Sequence, residues 1–348
     1  MIVEAEFSPG MALDECQEIA RLIESAGFDR LGVSDVVLWP DTFIVQALCA
    51  KVTKRLEIGS MVGNPYLRHP AVTAAAVAGI QEISEGRAFI GLGVGAGLDV
   101  VGVNYPRPVA TLREAIEIVR ALLDGETVNQ SGSVFHVEGA KLRMPPAKKV
   151  PIAIGTRSER VASLAGELAD RALVGARYLS PTFADRYRSW VTDGEALAGR
   201  PLGEVEVAPR LTLCCSRDKE AAYATMRRDA AEFLVTLRPD DLTIEPERID
   251  EIASVLSKAK GWYFDPDAYH PRELDDLIDD ALVEAFSLCG NGDALVGQFR
   301  RVEEMGFWSV SLKLAPVRRS GWSMFDGLVE TVTTVAEVMP AIKALGAA

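Results

Sequence analysis

Two glycine-bearing turns carry the plainest chemical signal in the chain. Gly91-Leu92-Gly93-Val94-Gly95-Ala96-Gly97 puts glycine at alternate positions behind an apolar run. Such a backbone can turn tightly and aim its N–H groups at an anion. Alone, the string would serve equally well as a packing turn beneath a helix. A dinucleotide site would also need a strand ending in a ribose-binding acid within about twenty residues, and none follows. The second turn gives the first its meaning. Pro151-Ile152-Ala153-Ile154-Gly155-Thr156-Arg157-Ser158-Glu159-Arg160 runs from an apolar strand straight into a helix beginning near Ser158. Unpaired donors at that helix N-terminus, with the hydroxyls of Thr156 and Ser158, suit a phosphate. Arg157 and Arg160 bring positive charge. If the two strands are neighbours, both loops can converge on one phosphoryl group.

Other reactive residue types are fewer. Ser34-Asp35 closes a strand and adds an acid. Cys214-Cys215 is a conceivable redox pair, but vicinal disulfides are strained and adjacent cysteines ordinarily pack. Cys16, Cys49 and Cys289 complete an odd, scattered set without a CxxC pair, as expected of reduced thiols in a cytoplasm. His69, His136 and His270 lack ligand spacing, so no metal is expected. The formal charge of -13 argues against nucleic-acid or anionic-membrane partners. A phosphorylated ligand must then be held by local donors. No basic stretch followed by an apolar run opens the chain, and no apolar run approaches the ~20 residues that span a bilayer. A cytoplasmic protein is the expectation.

The elements that must position these residues alternate along the chain. Strands are expected at Ile2–Phe7, Arg30–Ser34, Leu56–Val62, Ala88–Gly93, Val150–Ile154, Arg171–Val174, Val205–Cys214 and Ser309–Leu314, most of them apolar on both faces. Amphipathic helices intervene: Leu112, Ala115, Ile116, Val119, Leu122 and Leu123 follow the i, i+3, i+4, i+7 rule. This alternation predicts α/β architecture, a (β/α)8 barrel in one domain over residues 1–348, with an open doubly wound sheet as the competitor. Two insertions are expected. Val128–Met144 reads as a β-hairpin turning at Gln130-Ser131-Gly132, and Glu232–Phe286 as a helical insertion before the eighth strand. The latter carries Trp262-Tyr263-Phe264, which can build a lid or simply pack.

The end of the third strand carries a family resemblance. Gly59-Ser60-Met61-Val62-Gly63-Asn64-Pro65-Tyr66-Leu67-Arg68-His69-Pro70, followed by Ala71-Val72-Thr73-Ala74, is similar to a motif of methylenetetrahydromethanopterin reductases. These are coenzyme F-420 (deazaflavin) enzymes of the luciferase-like superfamily. The likeness continues through Gly86-Arg87-Ala88, the glycine loop, Pro108–Ala115 and Ala165–Asp170, and returns weakly at Gly290–Lys313. It implies a TIM barrel of the luciferase-like type and a non-prolyl cis peptide between Met61 and Val62, in a bulge that backs the deazaflavin ring. It also implies cofactor contacts from Asp35, Ser60, Met61, Val62, Gly93, Gly95, Ala96, Gly97, Gly155, Thr156, Arg157, Ser158 and Arg177. Arg157, Arg177 and Lys313 are the candidates for the glutamate tail of the cofactor at the barrel rim.

Glu6 matches a glutamate of these reductases thought to act as general acid, and in a dry barrel mouth its pKa would rise to suit that task. Trp39, Asn64 and Tyr66 are the candidates for substrate contact. His69 is expected to be structural. The sequence departs from the family at Val36-Val37-Leu38-Trp39-Pro40, apolar where relatives are polar, and at Gly63, where relatives have a hydroxyl residue. The leading expectation is an F-420-dependent oxidoreductase acting on a small organic substrate, a one-carbon pterin or folate above all. An FMN-dependent luciferase-like monooxygenase and a non-catalytic cofactor-binding barrel are the alternatives. Relatives are usually dimers, so a homodimer is implied.

Overall fold

Strands that are apolar on both faces must be covered on both, and here they close into a ring. The computed structural model describes residues 1–175, 178–240, 242–262, 265 and 267–345. Arg177, Tyr263 and Phe264 lie outside the described residues. The strands are β1 (Ile2–Phe7), β2 (Arg30–Val33), β3 (Glu57–Ser60), β4 (Ala88–Leu92), β5 (Val128–Ser131), β6 (His136–Ala140), β7 (Ile152–Thr156), β8 (Arg171–Val174), β9 (Glu206–Cys215), β10 (Ser287–Gly290) and β11 (Ser309–Leu314). The helices are α1 (Leu13–Ser25), α2 (Thr42–Val52), α3 (Pro70–Ile83), α4 (Pro108–Leu123), α5 (Glu159–Leu168), α6 (Pro181–Leu197), α7 (Lys219–Leu237), α8 (Pro246–Leu256), α9 (Leu274–Leu277), α10 (Asp280–Phe286), α11 (Gly292–Glu304) and α12 (Met324–Ala344). The ring runs β1-β2-β3-β4-β7-β8-β9-β11 and closes by parallel pairing of β11 with β1. It is the (β/α)8 barrel that the alternation predicts.

The barrel interior is built in three storeys. At the bottom, Arg171 of β8 reaches Glu4 of β1 at 2.6 Å, and Arg30 of β2 forks onto Glu206 of β9 at 2.6 and 3.0 Å. Neither pair joins adjacent strands, so the bonds cross the interior. Burial alone would raise the Glu206 carboxyl, but the Arg30 hydrogen bonds and the Arg171 and Arg30 charges hold it below the usual range. Above this lies a small apolar layer of Met61, Phe89, Ala153, Leu173 and Ala208. The top storey, at the C-terminal ends of the strands, is polar again.

Beyond one-residue shifts in β2, β4 and β9, the structure corrects four boundaries. β3 stops at Ser60 because Met61 and Val62 leave the ladder in a bulge. β7 starts at Ile152 and runs to Thr156, its first N–H held by the Asp170 carboxylate at 2.8 Å. The hairpin turns at residues 132–135, later than expected, because the Glu114 carboxylate of α4 accepts the N–H groups of Ser133, Val134 and Phe135 at 2.7–3.0 Å. The helical insertion begins after α7, which continues to Leu237. It ends in β10, a short parallel strand on the outer end of β9 that the pattern did not reveal. No described helix is long and apolar enough to cross a membrane.

Buried ion pairs add little net stability, yet orphaning one partner is costly. Arg171→Met is therefore expected to lower the unfolding free energy by about 3–5 kcal/mol, measured by urea titration; a loss under about 1 kcal/mol would show that the bottom network carries no weight. Because the folded Glu206 carboxyl is depressed, its contribution is present above the ordinary glutamate pKa of ~4.3 and fades as pH falls through the folded value. Thermal midpoints should accordingly hold steady above about pH 5 and drop below about pH 4.

Candidate active site

The bulge after β3 forms the floor of one side of the mouth. The Met61–Val62 peptide is cis and non-prolyl, where the family resemblance places it. The Ser60 hydroxyl donates to the Gly91 carbonyl at 2.8 Å, and the Gly63 N–H bonds the same carbonyl at 2.9 Å. The Gly93 N–H returns a 2.9 Å bond to the Gly63 carbonyl. These bonds clip the bulge onto β4. The Val62 side chain then fills the space beside two glycines: a β-carbon on Gly93 would come within 2.6 Å of Val62 Cγ2, and one on Gly155 within 2.8 Å of Cγ1. Gly93 thus serves by lacking a side chain. Its N–H is already bonded to the Gly63 carbonyl, so the open donors of this loop come from the residues after it.

The donors lie one step further out. Gly95 and Gly97 take left-handed backbone, with φ of 78° and 69°, and Gly95 packs against Asn64. The N–H groups of Gly95, Ala96 and Gly97 have no hydrogen-bond partner among the described residues. On the neighbouring loop, Thr156 Oγ1 accepts the Ser158 N–H at 2.9 Å, and Ser158 Oγ accepts the Val161 N–H at 3.4 Å, capping α5. The N–H groups of Arg157, Glu159 and Arg160 have no partner among the described residues, and Arg157 and Arg160 are exposed with no ion pair among them. β4 and β7 pair with Leu92 opposite Ile154, so both loops emerge side by side. Together they form a cradle of free donors with positive rims, which suits a phosphate group.

The polar top storey faces this cradle. Glu6 is wholly buried, and Arg210 of β9 grips it with two bonds of 2.5 Å, from Nε and Nη2. Ser34 donates to the same carboxylate at 2.6 Å, and Ser8 donates to Ser34 at 3.2 Å. Burial pushes the Glu6 carboxyl up, but Arg210, Lys313 and Ser34 together hold it below the usual glutamate value. The expected upward shift is therefore wrong, because the mouth is dry but not uncharged. Lys313, directly opposite Glu6 in the β1–β11 register, points inward with its Nζ 5.2 Å from the centre of the Trp262 ring. It belongs to the interior and not to the rim.

The remaining candidates scatter by role. Asp35 is mostly buried; burial and the Asp41 charge raise its carboxyl, and Asn64 donates to it at 3.2 Å. Asn64 also accepts the N–H groups of Tyr66 and Leu67, so it braces the loop. The Tyr66 hydroxyl is tied to the Pro106 carbonyl at 3.2 Å. Trp39 meets Trp262 edge to face at 5.2 Å, closing the mouth between the β2 loop and the insertion. His69 caps α3 through Nδ1, as expected of a structural residue. Cys214 and Cys215 are buried free thiols, with burial pushing Cys215 up to about 12. Among the described residues no group of His, Cys, Asp and Glu is arranged to hold a metal. Arg210 is the functional residue that sequence reasoning missed. Its signal was there: Glu206, Arg210 and Thr212 are polar at even spacing in a strand otherwise apolar, which marks an inward face.

Known proteins share this architecture. A family model described as luciferase-like monooxygenase matches residues 3–309. The 5,10-methylenetetrahydromethanopterin reductase of Methanolobus tindarius is 31% identical over 306 residues, covering 86% of this chain and 90% of that one. The F-420-dependent glucose-6-phosphate dehydrogenase of Nocardia farcinica is 29% identical, covering 73% and 81%. The coenzyme F-420 dependent tetrahydromethanopterin reductase of Methanopyrus kandleri superposes with a TM-score of 0.83 at 25% identity, covering 98% and 99%. The chain belongs to the luciferase-like monooxygenase family.

Proposed function

We propose that this oxidoreductase uses coenzyme F-420 as hydride donor and reduces a methylene-bearing pterin of the tetrahydromethanopterin or tetrahydrofolate kind. One observation carries the reading: an open-donor cradle on the β4 and β7 loops adjoins the Val62 bulge and faces a buried, ionised glutamate. A tricyclic cofactor with a phosphate-bearing side chain fits that succession. Gly95, Ala96, Gly97, Arg157 and the start of α5 would hold the phosphate, and Ser60, Met61 and Val62 would back the ring. Bound there, a reduced deazaflavin supplies a hydride and is sluggish towards oxygen.

Glu6 then has a role different from that of a resting proton donor. Opening the imidazolidine ring of the substrate breaks one C–N bond, whose electron pair goes to the departing nitrogen as it takes a proton from solvent, and leaves positive charge on the iminium nitrogen beside the methylene carbon. A carboxylate fixed by Arg210 and Ser34 favours that charge without having to reorganise. Trp39 and Trp262 exclude water from the same space. Glu6→Gln should lower turnover at least about tenfold while leaving cofactor affinity unchanged, and unchanged turnover would remove Glu6 from the mechanism. In the wild type no inflection from Glu6 should appear in the rate between about pH 5 and 8, since its carboxyl titrates below the ordinary glutamate value.

The cradle is tested by Gly95→Val with Ser158→Ala, which should weaken F-420 binding about tenfold or more in a fluorescence titration. An unaltered titration would refute the phosphate assignment. A flavin monooxygenase is the second reading, favoured by the description of the matching family model. Rapid reoxidation in air with FMN bound would support it, whereas a stable reduced F-420 complex supports the reductase. Homodimerisation is part of the proposal: the exposed apolar Ile44 of α2 and Val72 of α3 suit burial against a second copy. Light scattering should give twice the chain mass.

A further inference from the structure

A cleft beyond β11 has no part in the chemistry described above. Its cavity of about 770 Å³ lies between Ala224-Thr225 of α7, residues 267–275 of the insertion, and the loop from Pro316 to Met324. Arg318 sets it apart. This guanidinium is half-buried, yet it donates one bond, from Nη2 to the Ala268 carbonyl at 3.0 Å, and no carboxylate lies in ion-pair range among the described residues. Burial and the charge of Arg228 both work against it, and the Asp265 carboxylate, beyond ion-pair range, opposes them only in part. A half-buried cation of this kind, with most of its donors open, is a costly arrangement unless something binds there. Arg272, on the same cleft, is exposed and its guanidinium has no hydrogen bond or ion pair among the described residues. Arg319 differs: it pairs with Asp218 at 3.1 Å and Glu330 at 3.4 Å, and lies over the Trp322 ring at 5.2 Å. Of the two acids on the cleft, Asp275 faces Arg227 at 3.9 Å and Asp267 is exposed. Two arginines without an ion pair among the described residues therefore share one cleft on a chain of net charge -13.

We infer that this cleft receives the carboxylate-bearing tail of the pterin substrate, with Arg318 and Arg272 as its anchors; the inference rests on the proposed function. Ring order indicates which end of which ligand arrives there. β11 stands across the barrel from β4, with β1, β2 and β3 between them on one side and β9, β8 and β7 on the other. The donor cradle sits on β4 and β7, so a cofactor anchored by its phosphate extends from the far wall. A substrate lying between that cofactor and Glu6 has its free end towards β11. Met324, which lines the cleft, belongs to the same apolar cluster that Trp39 and Trp262 pack against, so the cleft adjoins the mouth wall. Folate-type carriers end in glutamyl carboxylates, and a guanidinium fork matches a carboxylate with two parallel bonds.

The test compares the wild type with Arg318→Gln/Arg272→Gln, and with Arg272→Gln alone as the exposed-site variant that leaves the loop intact. KM for a glutamylated methylene-tetrahydrofolate should rise about tenfold in the double variant and by a smaller factor in the single one, with kcat and the F-420 titration within about twofold of wild type. An unchanged KM in both variants overturns the inference. So does a weakened F-420 titration with KM unchanged, which would assign the cleft to the cofactor's own glutamate tail. Calorimetry with tri-γ-glutamate gives a readout that needs no turnover: the wild type should bind it and the double variant should not. Absent peptide binding in an enzyme that turns over the pterin defeats this inference alone, whereas absent pterin turnover in a protein that binds the peptide defeats the proposed function.

Discussion

The close approach of Val62 to β4 and β7 is the constraint on which the site depends. A bulged strand has to put its side chain somewhere, and here Val62 takes the space left by Gly93 and Gly155, where β-carbons would fall within 2.6 and 2.8 Å of valine methyls. Those two glycines therefore shape the floor. Their presence lets the strand ends come together, and the loops that follow are delivered side by side. Floor and cradle are consequences of one packing requirement. A larger residue at either position would push the bulge outward and part the loops at once.

The second organising feature is charge inside the barrel. A packed TIM interior ordinarily relies on branched apolar side chains. This one confines its apolar residues to a thin middle layer and places ion pairs above and below. The lower set joins strands across the barrel and fixes their relative positions. The upper set uses the same chemistry for another end. Glu6 with Arg210 and Lys313 makes a preorganised field whose acid stays ionised although it is wholly buried. Burial by itself would have produced a neutral acid, and the two cations reverse that outcome.

Much of this was legible in the residues. The eight barrel strands announce themselves because continuous apolar runs between amphipathic helices have few other solutions, and the cis peptide follows from a motif long enough to be specific. What the sequence concealed was of three physical kinds. β10 is only four residues long and pairs at the outer end of β9, so it has no periodicity of its own. The hairpin turn is set by Glu114, a carboxylate on the preceding helix, and not by its local Gln-Ser-Gly. The ionisation of Glu6 depends on Arg210, more than two hundred residues away in the chain. Local pattern reports elements well and reports partners across the barrel poorly.

The central claim is geometric, and a crystal structure of the protein soaked with F-420 tests it most directly. The account predicts density for the cofactor phosphate among the N–H groups of Gly95, Ala96 and Gly97 and the start of α5, with the ring resting on Val62 and open towards Glu6. A ring found elsewhere, or a mouth left vacant at saturating cofactor, would contradict it.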